Sequence, residues 1–308
     1  MARLAAEQDN FRAALEWDGP TGDDGAKRLR LAGALREFWW SRAQGGEGRH
    51  WLERALQAGP DAPAAARAVA LVGAGLVAGD QGDGVSALDF FQRSQALYEE
   101  LGDRRGVAES LLGLGQIAGL QGRYEQAQAV LEQAVREAQA VGDRYLAALA
   151  LTFIGNGLYV RGDWASARPL FEQVRDVLQS IGNQRGVAIV KVQIGLCSLE
   201  GGDQDEARSL VREGLALASE LDFRWGALYG LDGAALVAAR TGSVEVAATL
   251  LGATELERRS TPAPHIGVRE AGVAAVKEAL DPDTLARAWD EGVAMPLDQA
   301  ISYARHRL

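Results

Sequence analysis

Between residues 64 and 257, apolar residues recur three and four positions apart in runs of about 17 residues, the spacing of one face of an α-helix, and polar corners separate the runs. The runs are themselves periodic. A bulky apolar row passes through Phe91, Leu131, Phe171, Val211 and Leu251, and a second through Leu101, Val141, Ile181 and Leu221, each at a forty-residue step. Small residues keep the same step: Ala87, Ala127, Ala167, Ala207 and Ala247, and then Gly75, Gly115, Gly155 and Gly195, followed by Ala235. So do Gly82, Gly122, Gly162, Gly202 and Gly242. Rows that stay in phase over five units define a repeat protein.

Each row has a mechanical reading. Gly82 to Gly242 fit the residue just past a helix end, where the chain turns left-handed without steric cost only at glycine. Asp83, Arg123, Asp163, Asp203 and Ser243 come next, and all but the arginine can accept a hydrogen bond from the free amides of the following helix. A second corner repeats this with Gly102-Asp103, Gly142-Asp143 and Gly182-Asn183; its fourth copy, Asp222-Phe223, departs from it. Each unit is therefore two antiparallel helices. Gly115 and Ala127 are expected at their crossing, with Leu114 and Leu131 around it. One pair cannot bury its apolar face alone, so the pairs are expected to stack.

Flanking elements are less regular. A leading helix is expected over 4–17, a turn from Asp18-Gly19-Pro20 to Gly25, and helices near 26–43 and 48–58 around a Gly45-Gly46 corner. The Thr261-Pro262-Ala263-Pro264 segment excludes a continuous helix. Helices near 267–280, 283–292 and 297–307 follow it. The expected organisation is a repeat solenoid over 1–258, regular from about 64 to 257, and capping helices over 259–308.

These residues resemble the tetratricopeptide pattern. Leu111, Leu114-Gly115, Ala127, Leu131 and Ala134 match its bulky, Leu-Gly, Ala, aromatic and Ala slots. So do Leu151, Ile154-Gly155, Ala167 and Phe171, with Val174 in the last slot; Lys191 takes the bulky slot of the next copy. The forty-residue form, as in LGDRRGVAESLLGLGQIAGLQGRYEQAQAVLEQAV, resembles the sensor arms of bacterial STAND-type ATPase regulators, including LuxR-type and maltose-regulator-like transcription factors. Segments 3–17, 38–56, 247–264 and 281–304 resemble the ends of such arms. The resemblance implies an all-α, right-handed α-solenoid of antiparallel helix pairs with a C-terminal helical cap. It also implies a non-catalytic protein- or ligand-binding arm of a signal-transducing transcriptional regulator, with an ATPase module in the full-length protein. A free-standing adaptor that scaffolds protein partners is the alternative.

Composition narrows the chemistry. The chain is 47% hydrophobic and 24% charged, as a folded protein is, and its net charge of −10 with no basic block argues against direct nucleic-acid binding. No window holds the roughly 18 apolar residues that span a bilayer, and no signal peptide is apparent, so a cytoplasmic location is expected. The triphosphate-cradling Gly-x-x-x-x-Gly-Lys-Ser/Thr loop is missing. Gly113-Leu114-Gly115 lies within a helix rather than after a strand, which excludes a dinucleotide fingerprint. His50, His265 and His306 lack metal-ligand spacing, and the lone Cys197 reads as a core residue. No catalytic constellation, metal or cofactor is expected. Phe38, Trp39, Trp40 and Trp51 read as core of the first pair, or as a docking surface for an upstream module.

The first helix of each pair lines the inner groove of tetratricopeptide folds. Carried over by resemblance, those positions are Glu109, Leu112 and Gln116; Thr152, Phe153, Asn156 and Tyr159; Val192 and Gln193; Tyr229 and Asp232. They form a largely apolar lining with a few amides, suited to a protein or peptide partner or a small apolar ligand. Arg104, Arg144 and Arg224 are the expected rim contacts.

Overall fold

The computed structural model describes residues 7–16, 24–41, 45–258 and 267–308, and every regular element among them is an α-helix. The architecture is that of a tetratricopeptide-like solenoid of antiparallel helix pairs. The chain divides into two compact units, Met1–Phe153 and Ile154–Leu308.

The first unit opens with α1 (Gln8–Glu16), α2 (Asp24–Ala34), α3 (Arg36–Ser41) and α4 (Gly45–Ala58). The single helix expected near 26–43 is interrupted at Leu35, whose amide is shared between the carbonyls of Leu31 and Ala32 at 3.1 and 3.2 Å. Gly45 and Gly46 lie in the first turn of α4 rather than in a corner, and most of the expected turn before α2 lies outside the described residues. Phe38, Trp39 and Trp51 are buried in one core with Leu15, Leu29 and Leu52. The Phe38 ring meets Phe11 edge-on at 6.3 Å, and Arg12 bonds Glu47 at 2.6 Å, which ties the leading helix to the first pair. The side chain of Trp40 lies outside the described residues.

Regular pairs follow: α5 (Ala64–Asp80) with α6 (Gly84–Leu101), α7 (Arg104–Leu120) with α8 (Tyr124–Ala140), and α9 (Arg144–Val160), within which the first unit ends. The corners form as their sequence requires. Gly82, Gly102, Gly122 and Gly142 have φ between +67° and +78°, and the amides of Asp83 and Asp103 bond back to the carbonyls of Ala78 and Tyr98 at 2.9 Å. Asp83, Asp103 and Asp143 then accept the amides of Ser86, Gly106 and Leu146 at 3.0–3.1 Å. The partner of each mid-helix glycine is the bulky row. A Cβ on Gly115 would sit 2.4 Å from Leu131, and one on Gly75 would sit 2.9 Å from Phe91. Ala127 instead faces Gly119, 4.0 Å from where a Cβ would stand. At Gly115 the crossing is therefore glycine against a large side chain, and the alanine meets Gly119, one turn further on.

The second unit completes α9 and continues with α10 (Trp164–Ser180), α11 (Gln184–Glu200), α12 (Gln204–Glu220), α13 (Arg224–Arg240) and α14 (Val244–Arg258). Gly155 meets Phe171 and Gly195 meets Val211 in the same way. Lys191, in the slot that Leu231 fills in the next copy, is only 23% exposed: its stem lies along the helix pair and its amine reaches Glu213 at 2.6 Å. The final helices α15 (Val268–Ala279), α16 (Pro282–Val293) and α17 (Leu297–Arg307) share one core with the repeats, in which Val276, Ala288 and Ala304 pack with Val211, Leu231 and Leu251. Helices α14 and α16 touch backbone to backbone: a Cβ on Gly292 would fall 1.9 Å from the carbonyl oxygen of Thr249, and one on Gly252 2.2 Å from that of Trp289. The Thr261–Pro264 break falls outside the described residues.

Candidate functional site

In the first unit, the start of α7 faces a cavity of about 440 Å³. Its floor is small and apolar: Gly33 and Ala34 of α2, Ala65 and Val69 of α5. Gly106 shapes the wall. With no side chain there, the Tyr98 ring lies against α7, where a Cβ would come within 2.2 Å of it. Asp103 caps the helix, which leaves Arg105 and Glu109 one turn apart at the cavity.

The polar groups of this cavity are paired. Arg36 of α3 bonds Glu109 at 2.7 Å, both side chains about one-fifth exposed. Arg105 bonds Asp143 at 2.9 Å, and that bond raises the guanidinium's affinity for its proton. Burial, helped by the charge of Glu109, pushes the Tyr98 phenol up to about 12, so it keeps its proton at neutral pH. Further along α7, Leu112 and Gln116 are half-buried, and Leu112 packs on Ala108, Ala138, Leu146 and Ala147. On α9, the Thr152 hydroxyl donates to its own helix at Ala148, 2.8 Å away, and Phe153 is half-buried.

The expected positions of the second unit are more enclosed. Asn156 accepts the Gln193 amide at 2.7 Å; Gln193 is buried and its carbonyl oxygen has no hydrogen-bond partner. Val192 is buried. Tyr159 is half-buried, and burial raises its phenol above the ordinary range. Tyr229 is buried and stacks on Trp225 at 6.0 Å, with its hydroxyl unpaired. Asp232 is 3% exposed, held by Arg258, by Arg269 at 3.3 Å and by Thr254 at 3.3 Å. Burial pushes its carboxyl up against the pull of both arginines. Val192, Gln193, Tyr229 and Asp232, so enclosed, offer a ligand almost no surface, whereas Asn156 and Tyr159 keep part of theirs. Asp232 instead joins α13 to α14 and α15. Cys197 is likewise buried, and desolvation pushes its thiol up to about 12.

The rim arginines are exposed. Arg104 bonds Glu137 at 2.7 Å and Arg224 bonds Glu257, the same thirty-three-residue step in each case. Among the described residues no group of three or more His, Cys, Asp or Glu is placed to hold a metal, and no helix is long and apolar enough to cross a membrane. Sequence reasoning did not single out Arg36, Tyr98, Asp103 or Arg105 for a site. Arg36 lies outside the repeat register, and Tyr98 comes from an outer helix, so position in the repeat points to neither.

Residues 66–139 and 146–220 match the tetratricopeptide repeat model, so the chain carries tetratricopeptide repeats. Over 108 residues it is 32% identical to a protein of Mycobacterium tuberculosis named as an HTH-type transcriptional regulator, and equally to one of Mycobacterium bovis. The match covers 34% of this chain and 12% of each relative, so the chain spans about an eighth of their length. Among solved structures, a Rap protein complexed with Competence and Sporulation Factor aligns with a TM-score of 0.66 at 13% identity, over 94% of this chain and 80% of that one. NprR in complex with its cognate peptide NprX aligns with a TM-score of 0.65 at 13% identity, over 96% and 85%. At such identity the likeness is one of fold.

Proposed function

We propose that this chain is a non-catalytic binding arm of a signal-transducing transcriptional regulator, and that it takes a peptide or a protein segment on the face of α7 bearing Glu109, Leu112 and Gln116. The observation that carries the reading is the cavity beside Glu109: it is a recess with an apolar floor and a few oriented polar groups, the general form of a ligand site. The regulator context is supported by the mycobacterial relatives, and the peptide by the likeness in fold to NprR in complex with its cognate peptide NprX. An ATPase module elsewhere in the full-length protein, and a cytoplasmic location, belong to the same proposal. So do the wider groove residues Thr152, Phe153, Asn156 and Tyr159, and the rim contacts Arg104, Arg144 and Arg224.

The test is selection of peptides from a random display library on the purified chain, followed by titration of a selected peptide against Leu112→Arg. A long cation at a half-buried position of that face should lower affinity at least tenfold while the chain stays helical. Equal affinity for the native chain and the variant would remove this face from the proposal.

A further inference from the structure

The corner that opens α13 departs from the others, and it leaves an arginine without the partner its repeat position implies. Arg105, the second residue of α7, bonds Asp143, the cap of the next inner helix, at 2.9 Å. The same thirty-eight-residue step in the second unit joins Arg185, the second residue of α11, to Phe223, the cap position of α13. A phenyl ring cannot accept that bond, and the Arg185 guanidinium instead lies over it, 5.4 Å from the ring centroid. Arg185 is exposed and, among the described residues, has no carboxylate partner. From this we infer that the surface formed by Arg185, Phe223 and Trp225 docks an acidic segment of a protein partner, with a Glu or Asp carboxylate on Arg185 and an adjoining apolar side chain on the two rings. The surface belongs to the second unit and does not depend on the α7 face.

Both halves of this surface are set before a partner arrives. A guanidinium laid on an aromatic face is held by the ring's quadrupole, and its N–H donors stay in its own plane, a fork that matches a carboxylate. Arg224, beside it in the chain, is already bonded to Glu257 at 3.1 Å, so the open positive charge is that of Arg185. The rings are anchored. Phe223 and Trp225 are half-buried with centroids 5.8 Å apart, and Trp225 stacks on the buried Tyr229 at 6.0 Å. Gly226 lets the Phe223 ring lie flat on α13, since a Cβ there would come within 2.4 Å of it. Rings fixed in this way lose little freedom on binding. An exposed ion pair contributes little alone, so the aromatic area supplies affinity and the carboxylate supplies selectivity. A lone cation serves one carboxylate, whereas a nucleic-acid backbone needs a row of them, and the chain's net charge is −10.

Subtractive selection from a random peptide display library on the whole chain tests this. Sequences retained by the native chain and by Leu112→Arg, but not by Arg185→Glu, should carry Asp or Glu beside an apolar residue. A labelled synthetic peptide of one such sequence, followed by fluorescence polarisation, should bind Arg185→Glu at least tenfold more weakly than the native chain. Replacing its acidic residue by the corresponding amide should cause a similar loss on the native chain. Arg185 is exposed, so the melting curve of Arg185→Glu by circular dichroism should match that of the native chain. The inference is overturned if no sequence depends on Arg185, if the dependent sequences lack a carboxylate, or if a single-stranded oligonucleotide displaces the peptide as well as its own unlabelled form does. Binding on the α7 face is read separately, through Leu112→Arg, and stands or falls without this surface.

Discussion

Asp222 is the residue that departs from the corner rule, and the backbone does not follow it. Its φ is +47°, left-handed like the glycines at the equivalent corners, Gly102, Gly142 and Gly182. Helix packing on both sides imposes the turn, and aspartate bears the steric cost. Asp222→Gly should therefore raise stability by about 0.5–1 kcal/mol in a urea melt, the relief at positive φ outweighing the extra freedom of glycine when unfolded. The caps make a second, opposite-signed test. The Ser86 amide, with help from Arg49, holds Asp83 down to about 2, and the Thr284 amide lowers Asp281. A carboxylate depressed in the folded state stabilises above its unfolded pKa and loses that contribution as pH falls through the folded one. The melting temperature should fall between pH 4 and pH 2, and fall less in Asp83→Asn. A parallel decline in both proteins would remove Asp83 from the acid limb.

At the scale of elements, most of the helices were legible because each row of the repeat does one physical job. Corner glycines and capping aspartates marked the ends of α5 to α13 within a residue or two. The packing of the rows was less legible. Gly115 was paired with Ala127 by size alone, whereas the large side chain of Leu131 needs a partner with none, and only the three-dimensional crossing says so. Likewise, nothing in the period announces that Lys191 can fill an apolar slot by reaching Glu213. The final helices were legible as helices, but not their depth of packing. There Gly252 and Gly292 let α14 and α16 meet through their backbones. Gly292→Ala should cost about 3 kcal/mol, since a methyl group at 1.9 Å from a carbonyl oxygen can be accommodated only by moving a helix. A thermal melt within a degree of the native chain would contradict that contact.

For the whole molecule, the repeat told where ligand-facing positions should lie, and the structure separates them by accessibility. Glu109, Leu112 and Gln116 keep surface, whereas Val192, Tyr229 and Asp232 are enclosed, Asp232 by arginines of α14 and α15. That distinction was not readable from position in the repeat, because Asp232 is closed by Arg269 of the irregular helix α15 and Val192 packs where Gly214 and Gly233 have no side chain. The partner of Glu109 likewise comes from α3, outside the periodic segment. The central claim is that the chain works by binding on the α7 face of the first unit. Hydrogen–deuterium exchange of the whole chain, with and without a library-selected peptide, tests it most directly. The account predicts slower exchange over residues 64–80 and 104–120, with α12 and α17 unchanged; protection confined to the outer helices or to the C-terminal helices would contradict it.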